Sequence, residues 1–467
     1  MSIKSYESRG IGFVSLRAVG VASVVALVGL SLFAASPASA TTSADCNAGN
    51  TVDANAATPG TQADIQTLLT ADASVVCLIG NFSIAASLTV SGDVTFYGDP
   101  AATLTSTGTD SIITDANTDS ITVQNLTLTG GHASGAKSGG AINGVSVTAI
   151  DSTFENNTSN LFGGAIFGTT GVDVESSSFV NNSATDDGGA FTSAASATAD
   201  DSTFSDNSGG AMWVSDVATV TGSTFDHNTA PDGASALVAG FGTTIANSTF
   251  IDNSATTTGS AGGTPGAVFF NGGSVTQSTF LDNSTPEPAS GEAISTDSSV
   301  TLLGNIFASS TPTHEQLSTL GAHGVFTDGG GNVFSTSLAT ETFLTAPSPT
   351  SKFGASVASL FVSAALGNNG GATQTVAIGP GSPAIGAVTT GSLPTDQRRE
   401  PRATPADAGA FEFTAPTTTP TTPTTPTLPA TGTDPSGLVG LASALLVAGA
   451  LAFGLRRRLS GRGGLRG

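Results

Sequence analysis

The chain has 467 residues, 35 acidic against 13 basic, a net charge of −22 and only 10% charged side chains alongside 59 glycines. Nucleic acid is excluded as a partner, because binding it rests on clustered Lys and Arg. Sparse charge among many Ser, Thr, Asn and Gly is a solvated polar surface suited to export.

Residues 1–40 read as a signal peptide: Lys4, Arg9 and Arg17 precede an apolar run over 19–34, and Ala38-Ser39-Ala40 supplies the small residues of a cleavage site. The mature chain then begins at Thr41. Residues 41–62 form an N-terminal lead. It carries Cys46, and the other cysteine, Cys77, falls beyond it, where the first coils begin. In an oxidising exterior the pair predicts a disulfide, two free buried thiols being the alternative. Residues 63–69, with Ile65 and Leu68 on one face, predict a short cap helix ahead of a strand over 75–79, since solenoid ends need covering.

Residues 63–310 are a repeat. Phe-x-x-Asn recurs at Phe154/Asn157, Phe179/Asn182, Phe204/Asn207, Phe225/Asn228, Phe250/Asn253 and Phe280/Asn283; Phe307 closes the series and Leu128 is an earlier copy. The Phe-to-Phe spacings of 25, 25, 21, 25, 30 and 27 are those of one supersecondary unit stacked on the next. Five residues before each aromatic position the chain is always apolar (Val123, Ala149, Val174, Ala199, Val220, Ile245, Val275, Leu302), and seven before it usually so. A spacing of two is a strand with one buried face. The odd step from −5 to the Phe demands a corner, and position −3 is turn-prone: Asn125, Asp151, Asp201, Gly222, Asn247, Gly304. A third inward segment follows in Gly-Gly-Ala-Ile at 139–142 and 163–166, Gly-Gly-Ala-Phe at 188–191 and Gly-Gly-Ala-Met at 209–212, then degraded copies ending in Val268 and Ile294. Three short strands per turn predict an all-β fold, a right-handed parallel β-helix of about ten coils and roughly 50 Å at about 4.8 Å per coil.

Within that fold the Phe residues stack in the interior. The Asn three residues on is expected to take the left-handed backbone of the corner and to bond its equivalent in the next coil. Asn-x-Ser/Thr triplets such as 157–159 follow from that column and carry no separate weight as glycosylation sites. Segments 230–241, 254–265 and 284–290 vary most and predict a variable loop edge for binding. Trp213 is the one aromatic contact candidate outside the core pattern, for sugar stacking or as a third-strand core or rim residue.

Catalysis has few candidates. Asp186-Asp187 and Asp200-Asp201 offer paired carboxylates of the kind that serve as acid and base. Adjacent strand residues point to opposite faces, and Asp187 and Asp201 fall at turns. A lyase on acidic sugars also needs a cation, and Lys137 is the only Lys or Arg between 41 and 310. His227 stands at a corner position held elsewhere by Asn156, Asn181, Asp206, Asp252 and Asp282; His323 sits in an isolated Ala-His-Gly. The acidic residues lack the spacing of a calcium loop, so neither a metal nor a cofactor is expected.

Four segments resemble the choice-of-anchor Q domain over 329–413: 367–375 (Gly-Asn-Asn-Gly-Gly-Ala-Thr-Gln-Thr), 380–385 (Pro-Gly-Ser-Pro-Ala-Ile), 395–399 (Thr-Asp-Gln-Arg-Arg) and 407–412 (Asp-Ala-Gly-Ala-Phe-Glu). Arg399 stands where that family usually has Gly. The resemblance implies that 311–413 closes the β-helix ahead of an anchor. A Thr/Pro tract over 414–427 comes next, a stiff extended spacer. Leu428, Pro429, Ala430, Thr431 and Gly432, an apolar stretch over 437–455 and Arg456, Arg457, Arg458, Arg462 and Arg466 then resemble a Gram-positive LPxTG sorting signal over 428–467. The stretch is just long enough to span a bilayer with the arginines inside, so membrane insertion is transient. The resemblance implies sortase and peptidoglycan as partners: the enzyme's cysteine cleaves after Thr431 and passes the carbonyl to a wall amine. A permanent anchor with a chance pentapeptide is the alternative. Without both signals, 33 acidic and five basic residues (Lys137, Lys352, Arg398, Arg399, Arg402) remain, a net charge of −28.

The repeats over 125–307 also resemble those of the polymorphic membrane proteins, which are adhesins. The expected function is therefore a wall-anchored surface protein that contacts a glycan, matrix or host surface, with a secreted polysaccharide-active enzyme of the pectate lyase or polygalacturonase kind as the alternative.

Overall fold

The computed structural model describes residues 45–415, apart from 48, 72–73, 116–118, 232, 258–264, 288–289, 313, 320–322 and 345. The signal peptide 1–40, all but the first two residues of the 414–427 linker, and the sorting signal 428–467 with its segment 437–455 lie outside the described residues. Among the described residues no helix is long and apolar enough to cross a membrane.

The chain winds as a parallel β-solenoid, with three short strands per coil paired in register to the same strands of the coils above and below. We call these the first, second and third faces in chain order. The second-face aromatic column runs Phe82, Leu104, Leu128, Phe154, Phe179, Phe204, Phe225, Phe250, Phe280, Phe307 and Phe334, each paired with the next. That is eleven coils. The expected ten end at Phe307, and Phe334 adds one. From Phe154 to Phe353 successive rings stack with centroids 4.7 to 5.2 Å apart, the strand spacing itself.

Two corners per coil take left-handed backbone. The first lies at Phe−3 in every coil from Asn125 to Gly304, and it includes Ser176 and Gln277, which propensity would not have chosen. The second corrects the expectation for the Asn column, because none of Asn157, Asn182, Asn207, Asn228, Asn253 and Asn283 is itself left-handed. The left-handed residue precedes each of them: Asn156, Asn181, Asp206, His227 before Asn228, Asp252 before Asn253, and Asp282, with φ between 52° and 56°. A ladder Asn must aim its side chain inward between coils, so the turn falls one residue earlier, where the side chain faces out.

The Asn ladder itself forms. Asn182 Oδ1 accepts from both the backbone N–H and the side-chain amide of Asn157 at 3.0 Å, while Asn182 Nδ2 donates to Phe154 O at 2.9 Å and Asn207 Oδ1 at 3.1 Å. Asn207 donates in the same way to Asn228. Asn228 N and Nδ2 donate to Asn253 Oδ1 at 3.1 and 2.9 Å, and Asn253 N and Nδ2 to Asn283 Oδ1 at 3.1 and 2.9 Å. A second ladder runs at Phe−2: the N–H of Ser152, Ser177, Ser202, Ser223 and Ser248 each donates to the Ser Oγ of the next coil, and Asn305 and Asn332 finish the series. Both ladders satisfy backbone N–H groups buried at corners, where no strand partner exists.

A helix over Gln62–Thr70 buries Ile65 and Leu69 on the first coils. The side-chain amide of Gln66 bonds both the N–H and the C=O of Thr89, at 2.9 and 3.0 Å. Cys46 and Cys77 are disulfide-bonded with Cα atoms 5.8 Å apart; the strand Thr51–Asp53 pairs with Cys77–Ile79 beside them.

At the other end, the strands Leu317–Thr319, Val325–Asp328 and Val333–Phe334 continue the solenoid. Residues 355–413 do not close its end. They run back along the second face and bury a separate apolar cluster that includes Ile251, Leu281, Ile306, Leu360, Ile378, Val388 and Phe411. Cross-links include Thr373 Oγ1 to Gly222 O (2.6 Å), Thr249 Oγ1 to Gln397 Oε1 (2.7 Å), Asn247 Nδ2 to Thr395 O (2.8 Å) and Gln277 Nε2 to Asp407 O (3.0 Å). The reason lies in the outward residues beside each Phe, which are Glu155, Val180 and Ser205 in earlier coils but Ile251, Leu281 and Ala308 later. Inside this segment Arg398 lies 3.7 Å over the Phe411 ring and donates twice to Asp396. Arg402, which burial pulls below its ordinary pKa, is held by Glu412, Asn247 and the carbonyls of Asp407 and Gly409.

Candidate binding site

The third face carries Phe167, Trp213 and Phe269, which are only partly buried. Four of its strands, those starting at Ile142, Ile166, Phe191 and Met212, follow directly on Gly-Gly-Ala, and the two glycines answer different demands. Gly139, Gly163, Gly188 and Gly209 are left-handed, with φ from 65° to 92°. A Cβ on Gly140 or Gly164 would meet the carbonyl oxygen of the next coil's glycine at 2.3 or 2.1 Å, so there the backbones approach too closely for any side chain. The Ala and the following Ile142, Ile166, Phe191 and Met212 are buried inward.

The next residue in each strand points out. Its column reads Asn143, Phe167, Thr192, Trp213, Val238, Phe269, Ser295 in strict register. Phe167, Trp213 and Phe269 are half-buried. Phe162, from the loop before the strand, places its ring 6.4 Å from Phe167 and 6.5 Å from Trp213, bridging the gap left by Thr192. Sequence reasoning singled out Trp213 alone. The signal for the others was present: Phe167 and Phe269 follow the inward residue of a full and a degraded Gly-Gly-Ala copy, and Phe162 immediately precedes the copy at 163–165.

The loop edge needs one correction. Within 230–241, Leu237–Ala239 is the third-face strand of its coil, paired with Met212–Val214 and Val268–Phe270. Its lead-in, Ser235-Ala236, has lost both glycines, which hid the copy. The connecting loop is therefore 231–236, and with 256–265 and 284–290 it precedes the third-face strands.

Of the paired carboxylates, Asp200 and Asp201 are occupied. Asp201 is itself a left-handed corner, and burial raises its pKa although Arg399 binds it. Asp200 Oδ1 accepts from Thr221 and its other oxygen lies 3.4 Å from Arg399. Arg399 has φ 67°, which explains why Gly suits that position. Asp187 gives its carbonyl to Gly163 N and Thr192 Oγ1, and Lys137 pairs with Asp110. His227 takes the corner expected of it. Partial burial lowers its pKa, but the hydrogen bond and charge of Asp226, with Asp252 and Asp206, outweigh this and leave it raised. Ligand atoms of Asp226, His227 and Asp252 lie within 4.8 Å of one another, His227 exposed and the two carboxylates part-buried, a trio that the sequence left apart. A groove of about 600 Å³ between Ser309, Ser335 and the helix Val357–Leu360 is lined by Ser, Ala, Val, Pro and Phe and holds no acid, base or cation.

Residues 111–307 match a family model described as right handed beta helix region. No curated protein matches the chain.

Proposed function

We propose that this chain is a sortase-anchored cell-wall surface protein whose β-helix is a binding solenoid, an adhesin for a glycan or matrix surface. The observation that carries the reading is the division between a repetitive scaffold and one changing edge. The register of the strands holds from coil to coil, while the spacing between Phe residues varies from 21 to 30 because loops of different length enter the third face. Loop length has only a slow entropic cost, so such an edge can diversify without loss of fold. Support for the location comes from the sequence: a signal peptide at one end, and at the other a Thr/Pro spacer, the 428–432 pentapeptide, an apolar stretch and a basic tail in the order that sortase requires. The resemblances to choice-of-anchor Q and to polymorphic membrane protein repeats agree with it.

Cell fractionation tests the anchoring. Thr431→Ala should move the chain from the fraction released by wall digestion to the membrane or medium; release of the unchanged chain by detergent alone overturns it. Binding is tested with the full chain on glycan arrays and cells, where deletion of 233–234 and shortening of 284–290 should weaken attachment. Turnover of pectin, polygalacturonate, alginate or hyaluronan that vanishes with Asp187→Asn or Asp201→Asn would make the chain an enzyme instead.

A further inference from the structure

We infer that the outward column Phe167–Trp213–Phe269 is a stacking platform for a neutral β-1,4-linked polysaccharide lying along the solenoid axis; this rests on the binding-solenoid reading and names its ligand class. The in-register pairing puts Phe167 and Trp213 two coils apart, and Trp213 and Phe269 two coils apart again. At about 4.8 Å per coil the rings recur at about 9.6 Å. That period is commensurate with the disaccharide repeat of a β-1,4-linked chain, in which every second sugar presents the same face. Three rings then span about 19 Å, within the length of a hexasaccharide. Phe162 beds the interval between the first two rings.

The charge around the column selects among such chains. No Lys or Arg occurs between Lys137 and Lys352. Asp186 and Asp187 stand at the head of the face and Asp216 at its tail, beside the strands that carry Phe191 and Trp213. A uronate or sulfated polymer would bring its anions against carboxylates, and the basic side chains that reach these coils are already paired, Lys137 with Asp110 and Arg399 with Asp200 and Asp201, whereas an uncharged chain meets apolar ring faces with hydroxyl and carboxylate acceptors at the margins. An aromatic ring under a sugar face gains from burial of C–H surface without desolvating a charge.

The chain's single tryptophan is Trp213, so its emission reports on the platform directly. The full-length chain in detergent is titrated with cellohexaose, chitohexaose, maltohexaose and polygalacturonate. We expect a saturable change in Trp213 emission with one or both β-1,4 hexasaccharides and none with polygalacturonate or the α-linked maltohexaose. Calorimetry with the responding sugar should show Phe167→Ala and Phe269→Ala each weakening binding about tenfold, equivalent to about 1.4 kcal/mol. Trp213→Phe should hold affinity within a few-fold where Trp213→Ala loses it, and Thr219→Ala on the first face should change nothing. Unchanged melting temperatures identify the variants fit for comparison, and the Phe/Ala pair at 213 separates stacking from folding. If neither β-linked sugar perturbs Trp213 while cells or other glycans still bind through the loops, the platform is wrong and the binding solenoid stands. If nothing binds at all, both fail. A response to polygalacturonate equal to that of the neutral sugars overturns the charge selection, and with it the ligand class.

Discussion

The second and third faces of this solenoid use the same device, an in-register parallel strand whose alternate residues point out, yet their outward apolar residues have different surroundings. On the second face Ile251, Leu281 and Ile306 are fully buried beneath residues 355–413. On the third face Phe167, Trp213 and Phe269 stay partly exposed, with Phe162 as the aromatic neighbour of the first two among the described residues. An apolar side chain on the outside of a coil is thus a statement about what lies over it. In one case the chain supplies the cover itself, 130 residues later in sequence at Gln277–Asp407 and 151 later at Gly222–Thr373. In the other it leaves rings at a regular interval.

The interior sets the scale for this comparison. Phe204, fully buried between Phe179 and Phe225, should lose about 3–5 kcal/mol on truncation to Ala, while Ser205→Ala should stay within roughly 0.5 kcal/mol. Denaturant melts of equal midpoint would remove the Phe column from the core. The comparison of covered and uncovered outward positions comes next. Leu281→Ala should cost about 2–5 kcal/mol, nearly as much as an inward residue, whereas Val180→Ala at the same position on an uncovered coil should cost under about 0.5 kcal/mol. Similar losses at both sites would show that residues 355–413 do not cover the face.

The head of the third face sharpens the contrast through pH. There Glu341 is buried and accepts from Gln316 N, Leu317 N and Thr336 Oγ1; burial nonetheless pushes its pKa from 4.5 to about 7. A carboxyl whose folded pKa is raised binds its proton more tightly in the folded state. Its contribution is therefore full below pH 4.5 and is lost as pH rises towards 7, an effect on the order of 2–3 kcal/mol. The difference between wild type and Glu341→Gln, measured by melts from pH 4 to 8, should follow that slope; a flat difference curve would contradict it. The smallest effect concerns the exposed bridge between the covering segment and the coils. Arg399→Ala should cost about 0–1 kcal/mol and less at high salt, and a larger loss would mean that this pair, rather than the apolar cluster, docks the segment.

Much of this was legible in the residues. Phe154 to Phe307, the apolar −5 positions and the Gly-Gly-Ala copies encode the coil because each is a local pattern repeated at a fixed phase. The Asn column was legible as a ladder but not in its backbone: Asn228 and Asn253 were expected at the turn itself, which His227 and Asp252 take instead. The Ser ladder was not legible, since Ser152, Ser177 and Ser202 carry no hydropathy and their role exists only once coils are stacked. The left-handed Ser176 and Gln277 are imposed by neighbouring coils against their own preference. The strand Leu237–Ala239 hid behind the loss of its glycines. The course of 355–413 depends on contacts across more than a hundred residues, although the change from Glu155 and Ser205 to Ile251 and Leu281 was its trace. For the site, Trp213 was visible as an odd aromatic; Phe167 and Phe269 became meaningful only in register with it.

The two hydrogen bonds from Gln66 to Thr89 bear on how large the molecule can become. Every coil presents to its neighbour a row of peptide groups that a further coil, or the exposed row of another molecule, could accept, so nothing in the stacking itself says where to stop. At the first coil a side-chain amide occupies the place of the missing peptide group, offering one N–H and one C=O on a helix that cannot propagate a strand. Gln66, with Gln62 bonding Ala85 N and Ala86 O in the same manner, thus acts as a stop at this end of the stack, where the periodic lattice can take no further strand over these positions.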